Sequence, residues 1–345
     1  MRNWIVILWL LPLLAACQSA PPPTAGFLQG DFAFIPYEER VQVINIADET
    51  QPKFVTEFML PGYVARVVAN GRFLYVAHAS NAPSWESQDG PPDAGLQIVD
   101  VSTPAQPTML GHFYPKSFPT DLLLYDDLLY LATWDSIHIL DVSNPDAPRG
   151  LGTFSEGATG LARQGDRLAA SWGGCNFRSG YCEGGINIFN LADRQRPSPL
   201  SRLQFEELPG YDVALTEDNA VVTGKGVSVL NLADLETLVI NGRFALDNGW
   251  LYAAKVLLDG DLAYTTQHDG LYILDLSQPS EPDAIGIYPT DDPLTDLALR
   301  NGRLYLANWN GLLILDITDP TFPNLLGTYN ITAPAPPLPL PTATP

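Results

Sequence analysis

The sequence is poor in the residues that most enzymes use for catalysis and metal binding. Its 345 residues include only 4 histidines, 3 cysteines and 3 methionines. It contains no GxSxG nucleophile elbow, no HExxH zinc motif and no P-loop. The enzyme classes that these motifs mark are therefore not indicated. The apolar run near the N-terminus is also too short to cross a bilayer as a helix.

Positive charge is scarce as well. The 39 acidic residues outnumber the 18 basic residues, and the net charge is -21. Nucleic acid and anionic lipid surfaces repel such a protein, so we expect no nucleic-acid partner. The negative charge either keeps the protein soluble or attracts cations and basic ligands.

The N-terminus has the pattern of an exported lipoprotein. Arg2 precedes an apolar stretch over residues 4–14, which is typical of a signal peptide. The sequence LAAC that ends at Cys17 resembles the lipobox of bacterial lipoproteins, and this resemblance implies lipidation of Cys17. An ordinary secretory signal with a chance cysteine is the alternative. We predict a signal peptide over residues 1–16, a proline-rich tether over residues 17–24, and a lipid anchor that holds the exported protein at the bacterial cell envelope or cell surface.

A six-residue apolar pattern recurs through the rest of the chain. Its seven copies are VQVINI, LQIVDV, IHILDV, INIFNL, VSVLNL, LYILDL and LLILDI. The fifth position is always Asn or Asp, and a short apolar run that ends in a turn-forming residue is typical of a buried strand. Successive copies begin 41 to 55 residues apart, which leaves room for three further strands in each unit. We denote the four strands A, B, C and D, with the apolar pattern as strand C.

Turn motifs support this division. Asn-Gly and Asp-Gly pairs at Asn70, Asp269, Asn301 and Asn310 predict two-residue hairpins in which both central residues have positive φ. The Asn or Asp that ends strand C is expected to close an Asx-type turn before a proline-containing loop. The pattern predicts an all-β, seven-bladed β-propeller of four-stranded antiparallel blades over residues 25–331. We expect the ring to close without a strand exchanged between the termini, and a disordered proline-rich tail over residues 332–345.

Three segments carry a family resemblance. IVDVSTPAQPTMLGHFY, ILDVSNPDAPRGLGTF and ILDLSQPSEPDAIGIY resemble the LVIVD repeat, a repeat of bacterial surface proteins whose arrays form propellers. The resemblance covers nearly all of the mature chain, although the fourth and fifth units lack part of the pattern. It implies a propeller and no particular activity.

Aromatic residues concentrate on one rim of the predicted ring. In an antiparallel blade the B-to-C and D-to-A connections emerge on the same rim, and both large insertions, over residues 79–94 and 173–185, are B-to-C connections. An aromatic rim is a plausible recognition surface. The candidate ligand-binding residues are Trp85, Trp134, Trp172, Trp250, Trp309, His78, His268 and Tyr181. The alternative for Trp134 and Trp309 is that they pack between adjacent blades.

Two functions from different classes fit these features. The first is a non-catalytic recognition or scaffold protein that binds an envelope protein segment or a glycan on the tryptophan-rich rim. The second is a metal-assisted hydrolase of the lactonase kind, with Ca²⁺ at the channel mouth. Its candidate ligands are Asp121, Asp212 and Asp296, which open strand A in three units. Convergence of these aspartates within metal-ligand distance would separate the two functions.

The remaining cysteines form an even pair in an exported chain. Six residues separate Cys175 from Cys182, and flanking glycines give the loop freedom, so we predict a disulfide between them. Zinc binding is less favoured because two thiols supply only half of a tetrahedral site. The bond would either hold an aromatic protrusion on the rim or protect the loop from proteolysis.

Overall fold

The structure is a computed structural model that describes residues 27–79, 94–175, 182–206, 210–245 and 255–331. Within these ranges the regular secondary structure is β, and 28 strands form seven four-stranded antiparallel sheets. Each sheet contains four strands that are consecutive in the chain. The predicted all-β, seven-bladed propeller is therefore confirmed. No helix in the described part is long and apolar enough to cross a membrane.

The first four blades cover strands β1 to β16. Blade 1 contains β1 (Leu28–Gln29), β2 (Phe32–Tyr37), β3 (Arg40–Asn45) and β4 (Lys53–Met59). Blade 2 contains β5 (Val64–Asn70), β6 (Phe73–His78), β7 (Gly95–Asp100) and β8 (Thr108–Phe113). Blade 3 contains β9 (Pro119–Tyr125), β10 (Leu128–Thr133), β11 (Ile137–Asp141) and β12 (Arg149–Phe154). Blade 4 contains β13 (Gly160–Gln164), β14 (Arg167–Cys175), β15 (Cys182–Asn190) and β16 (Ser198–Glu206).

The last three blades cover strands β17 to β28. Blade 5 contains β17 (Val213–Leu215), β18 (Asn219–Gly224), β19 (Gly226–Asn231) and β20 (Val239–Phe244). Blade 6 contains β21 (Lys255–Asp259), β22 (Leu262–Gln267), β23 (Gly270–Asp275) and β24 (Asp283–Pro289). Blade 7 contains β25 (Leu294–Arg300), β26 (Arg303–Asn308), β27 (Gly311–Asp316) and β28 (Asn324–Asn330).

The first strand of each blade lies at the centre of the ring. From β5 to β25, each strand A contacts strand A of the next blade, so these strands surround the central channel and strand D forms the outer edge. We call the rim that carries the B-to-C and D-to-A connections the upper rim, and the opposite rim the lower rim. Apolar side chains on both faces of the inner strands pack between adjacent blades.

Blades 7 and 1 close the ring through side chains. One apolar cluster contains Phe34 of blade 1 together with Tyr305 of blade 7. Glu49 accepts hydrogen bonds from the Tyr305 hydroxyl and from Arg303 Nε, the latter at 3.2 Å. The Tyr329 hydroxyl lies 3.1 Å from Gln42 Oε1. Because β1 pairs with β2 and β28 pairs with β27, the predicted closure without an exchanged strand is confirmed.

An Asx turn follows strand C in all seven blades. The side-chain oxygen of the terminal Asn or Asp accepts a hydrogen bond from the backbone N–H two residues later, at distances of 2.7 to 3.0 Å. This confirms the role predicted for the fifth position of the repeat. The seven residues are Asn45, Asp100, Asp141, Asn190, Asn231, Asp275 and Asp316.

A β-bulge occurs at the same point of strand D in every blade. The register between strands C and D shifts in the middle of each pair. In five blades a glycine follows the bulged residue, as Gly286 does in blade 6. A Cβ added to Gly286 would lie 2.1 Å from the carbonyl oxygen of Pro320. Glycine is thus required where the proline-containing loop of the next blade lies against strand D.

Three predicted hairpin turns differ from the structure by one residue. Asn70 pairs with Phe73, so this turn centre follows the predicted Asn-Gly pair by one position. Gln267 pairs with Gly270 and Asn308 pairs with Gly311, so the turn centres precede the predicted Asp-Gly and Asn-Gly pairs by one position. Both central residues have positive φ only at the Asn301-Gly302 turn among these predicted pairs. The glycines at 270 and 311 instead begin strand C with φ of 144° and 147°, where the backbone lies close to strand D.

Candidate functional site

One position of strand A forms a ring at the channel mouth, and in blades 2 to 7 it is charged except in blade 4, which has Gly160. In each described case the residue lies opposite the fifth residue of strand B. Alternation of charge around this ring brings cations and carboxylates together. Blades 2 to 7 contribute Arg66, Asp121, Gly160, Asp212, Lys255 and Asp296, in that order.

Arg66 lies among the carboxylates. Its Nη1 is 2.5 Å from Asp296 Oδ1 and its Nε is 3.2 Å from Asp121 Oδ1. Burial lowers the pKa of Arg66, but the negative charges of Asp296, Asp121 and Asp212 outweigh this effect, so the pKa is raised overall. The guanidinium is therefore permanently charged, and it neutralises part of the buried acidic group.

Asp212 is held by the neighbouring blade. Its Oδ1 lies 3.7 Å from Lys255 Nζ, and its Oδ2 accepts a hydrogen bond of 3.0 Å from Val256 N. Burial raises the pKa of Asp212 and Asp121 adds to the increase, whereas Lys255 and Arg66 oppose it. Asp121 repeats this pattern, since its Oδ2 accepts a bond of 2.8 Å from the backbone N–H of Leu161 in blade 4.

The three aspartates proposed as calcium ligands converge on cations of the protein itself. Asp121 and Asp296 contact Arg66, and Asp212 contacts Lys255. Among the described residues, no group of three or more His, Cys, Asp or Glu side chains could hold a metal ion. The geometry thus gives no support to Asp121, Asp212 and Asp296 as a calcium site. The carboxylates alone suggested a cation site, whereas the strand register aligns Arg66 and Lys255 with them.

Three candidate residues occupy one equivalent position at the tips of upper-rim hairpins. Trp134, His268 and Trp309 are each the first residue after strand B in the B-to-C connection. The two tryptophans are 75% and 65% exposed, in that order, and His268 is exposed too. The alternative that Trp134 and Trp309 fill space between blades is therefore wrong.

Polar groups beside Trp134 are fixed by local hydrogen bonds. Asp135 Oδ1 accepts bonds from the hydroxyls of Thr133 and Ser136, at 2.8 and 3.2 Å. Partial burial raises the pKa of Asp135, but the hydrogen bonds lower it by a larger amount, so the net shift of the pKa is downward. The ring of Phe118 lies 5.9 Å from that of Trp134. An exposed indole thus stands next to an oriented, ionised carboxylate.

Trp309 has an equivalent polar neighbourhood. Asn310 Nδ2 donates a bond of 2.6 Å to Asp292 Oδ2. Asp292 lies in the D-to-A loop between blades 6 and 7. This loop also reaches the hairpin tip of blade 6, because Thr290 N donates a hydrogen bond of 3.1 Å to Asp269 O. The tips that carry His268 and Trp309 are therefore connected across the junction of blades 6 and 7.

The other candidate residues on this rim differ in their exposure. Trp172 is half-buried, and the guanidinium of Arg202 lies 4.9 Å from its ring centre. His78 is buried at the end of β6 and is 1% exposed, so it does not contribute to the surface as predicted. Three candidates, Trp85, Trp250 and Tyr181, lie outside the described residues. Cys17 and the predicted segments 1–16, 17–24 and 332–345 lie outside them as well.

The two cysteines of the predicted disulfide are placed opposite each other. Cys175 ends β14, Cys182 begins β15, and they are direct partners in the register. Directly opposed residues of antiparallel strands have Cα atoms about 4.5 to 5.5 Å apart, within the range that a disulfide spans. The second large insertion therefore extends the hairpin of blade 4. The bond between the cysteines stays a prediction.

Comparison with known proteins supports the fold. The family model described as LVIVD repeat matches residues 91–114, 120–155, 252–290 and 295–331. No curated protein sequence is significantly similar to the chain.

Several solved structures share the architecture. A protein from Lactobacillus plantarum is 13% identical with a TM-score of 0.63, covering 87% of this chain and 96% of its own. The computationally designed protein Ika8 is 10% identical with a TM-score of 0.57, covering 89% and 87%. A hypothetical selenium-binding protein from Sulfolobus tokodaii is 12% identical with a TM-score of 0.55, covering 74% of each chain. The chain is thus a seven-bladed β-propeller that contains four LVIVD repeats.

Proposed function

We propose that this protein is a non-catalytic recognition propeller of the bacterial cell envelope, which binds a glycan through the tryptophans of its upper rim. The observation that carries the proposal is the exposure of Trp134 and Trp309, at 75% and 65%, on equivalent hairpin tips. Large exposed aromatic side chains are costly in water and commonly mark recognition surfaces.

The groups beside each indole favour a glycan. A pyranose ring stacks on a tryptophan face, and its hydroxyls bond to oriented carboxylate or amide oxygens. Asp135 and Asp292 supply such oxygens, each held by hydrogen bonds. The net charge of -21 favours neutral sugars over anionic ones.

The channel mouth offers less support for a hydrolase. Its carboxylates pair with Arg66 and Lys255, so a cation there would have to displace two fixed positive charges. We therefore do not propose the metal-assisted hydrolase as a second function.

The envelope location rests on the sequence, through the lipobox-like segment at Cys17. We also propose that Cys175 and Cys182 form a disulfide, as oxidising conditions outside the cytoplasm allow. A thiol assay on protein recovered from the envelope tests the bond. We expect no reactive thiol under denaturing, non-reducing conditions, and two reactive thiols would rule the disulfide out.

Binding to soluble N-acetylglucosamine oligomers tests the glycan proposal. Trp134→Ala and Trp309→Ala should each weaken binding by about tenfold, equivalent to about 1.4 kcal/mol. Phe322→Ala is the matched control, because Phe322 is 73% exposed but lies in a C-to-D loop on the lower rim. Titration calorimetry measures all three variants.

Two outcomes would contradict the proposal. Equal affinity of the tryptophan variants and the wild type would remove the upper rim as the site. Failure of the oligomers to bind, together with a tryptophan-dependent interaction with an envelope protein, would keep the rim and replace the glycan by a protein segment.

A further inference from the structure

The contact between strand D and the next blade recurs at four junctions. Gly111, Gly242, Gly286 and Gly327 are buried. A Cβ added to any of them would lie 2.1 to 2.3 Å from an atom of the C-to-D loop of the next blade. At the junction of blades 2 and 3, Gly111 N also donates a bond of 2.9 Å to Pro145 O. Each glycine thus accommodates the backbone of a loop that, except in blade 1, contains two prolines in the pattern PxxP.

The junction of blades 3 and 4 lacks this contact. Gly152 occupies the equivalent position of β12 but is exposed, and its added Cβ meets none of the described atoms within 4 Å. The loop of blade 4 has Arg194 where the loops of blades 2, 3, 6 and 7 have their first proline. The carbonyl of Arg194 accepts a bond of 2.8 Å from the Tyr130 hydroxyl instead.

An open groove begins two residues beyond Gly152, where Phe154, Ser155 and Glu156 line it. Its volume is about 550 Å³, which is within the range of ligand sites. Apolar walls come from Phe154 of blade 3 and from Phe189 and Leu200 of blade 4, and the two phenylalanine rings are 5.1 Å apart. Phe154 lies two residues from Gly152, so both face the same side of β12.

The ends of the groove are polar. The side chain of Asn187 is buried in its lining. At the mouth, Arg202 Nη1 lies 3.3 Å from Glu156 Oε2, and the same guanidinium covers the ring of Trp172. The groove therefore combines an apolar wall with groups that can bond to a peptide backbone.

We propose that this groove binds a proline-containing segment of a partner protein, which lies against Gly152 as the C-to-D loops lie against the equivalent glycines. The identity of the occupant follows from the four filled junctions, where the same surface holds a proline-containing loop. A preformed proline segment also loses little conformational entropy on binding. Trp134 and Trp309 are not among the residues that line the groove.

A peptide taken from the chain itself provides the probe. The peptide DVSNPDAPRG copies residues 141–150, the loop that lies against Gly111. We expect it to shift the amide signal of Gly152 in the full chain labelled with ¹⁵N-glycine, with a Kd on the order of 1 mM. A peptide with both prolines replaced by alanine should bind at least fivefold more weakly, since it loses the preformed backbone geometry (about 1 kcal/mol).

Matched variants locate the binding surface. Gly152→Leu fills the open space and should weaken binding at least tenfold, whereas Thr153→Leu places the same side chain on the opposite face of β12 and should leave binding unchanged. Thermal unfolding checks that both variants fold. Trp134→Ala and Trp309→Ala should not affect the peptide, which separates this proposal from glycan binding.

Three binding results would overturn the proposal. They are no shift of the Gly152 signal at peptide concentrations of about 5 mM, equal binding to the Gly152→Leu variant, and equal binding of the alanine peptide. A change of oligomeric state in Gly152→Leu alone, seen by sedimentation, would assign the groove to contact between copies of this chain and equally contradict a partner protein.

Discussion

At the scale of single residues, Arg66 is the most connected charge of the channel mouth. It contacts a carboxylate of blade 3 and one of blade 7, so it joins parts of the ring that are distant in the sequence. Its side chain is 12% exposed, and those of Asp121 and Asp296 are 3% and 6% exposed. Buried ion pairs offset the loss of hydration only while both partners remain.

We expect Arg66→Met to lower the free energy of unfolding by about 3–5 kcal/mol, because it leaves two buried carboxylates without their cation. Arg72→Met is the control. Arg72 pairs with Asp100, but its side chain is 61% exposed, and such surface pairs contribute about 0–1 kcal/mol. Urea unfolding of both variants measures the difference. Similar losses in the two variants would show that the buried cluster has no special role.

Single residues also show where sequence reasoning was sufficient and where it was not. The Asx turns and the exposed rim tryptophans were predictable because the repeat fixes their position in each blade. The ion pairs of Arg66 and Lys255 were not, since only the strand register brings them to the position of the aspartates. His78 was assigned to the surface, but it is the last residue of a strand that the next blade covers, and it is buried.

At the scale of the blade, two local features explain the repeat. The Asx turn reverses the chain after strand C, and the bulge glycine lets the next proline-containing loop approach strand D. Together they account for the acidic or amide residue, the prolines and the glycine in segments such as ILDLSQPSEPDAIGIY. The apolar positions between them pack against the neighbouring blades.

The bulge glycines provide a matched pair for a stability test. Gly286→Ala should lower the free energy of unfolding by about 1–3 kcal/mol, because the methyl group would overlap the backbone of Pro320. Gly152→Ala should change it by less than about 0.5 kcal/mol, since its methyl group would enter open space. Denaturant midpoints of the two variants decide the matter. A large loss in Gly152→Ala would mean that the junction of blades 3 and 4 is closed in solution.

The Asx turns give the fold a dependence on pH. Hydrogen bonds from Arg72 and Ser102 lower the pKa of Asp100 to about 2. Bonds from the residue two positions later lower the pKa of three further carboxyls, those of Asp141, Asp275 and Asp316. A folded pKa below the unfolded value favours the ionised, folded state. This stabilisation is present above about pH 4 and is lost as the pH falls towards 2.

Replacing all four aspartates by asparagine tests this effect. Asparagine keeps the acceptor oxygen, and Asn45, Asn190 and Asn231 already form the same turn. The fourfold variant should remain folded at pH 7 and should lose less stability than the wild type between pH 4 and pH 2. Identical acid unfolding curves for the two proteins would contradict the assignment.

At the scale of the whole molecule, the number of blades was predictable and the differences between junctions were not. Seven copies of one strand pattern determine seven blades, because an unpaired unit would expose an apolar face. The groove at blades 3 and 4 depends on where one loop lies relative to one glycine, a distance that no sequence pattern encodes. The loop of blade 4 has Arg194 in place of the first proline, but blade 1 has Glu49 there and its loop still packs against Gly327.

The position of the molecule in the cell can be tested at Cys17. We expect Cys17→Ser to move the protein from the membrane fraction to the soluble exported fraction, because the thiol that would carry the lipid is lost. Immunoblots of fractionated cells measure the distribution. A variant that stays with the membrane after a high-salt wash would show that another segment anchors the protein.

The closure of the ring by side chains rather than by a shared strand affects how the protein forms and how it can change. Every blade is one continuous stretch of chain, so each sheet can be completed as soon as its own forty or so residues are available, and contacts within it are short in sequence. The original ends can be joined and new ends opened in a D-to-A loop without dividing a sheet. Duplication or loss of one coding unit likewise adds or removes an intact blade. We therefore expect the chain to tolerate circular permutation, and a single genetic event to be able to change the size of the ring.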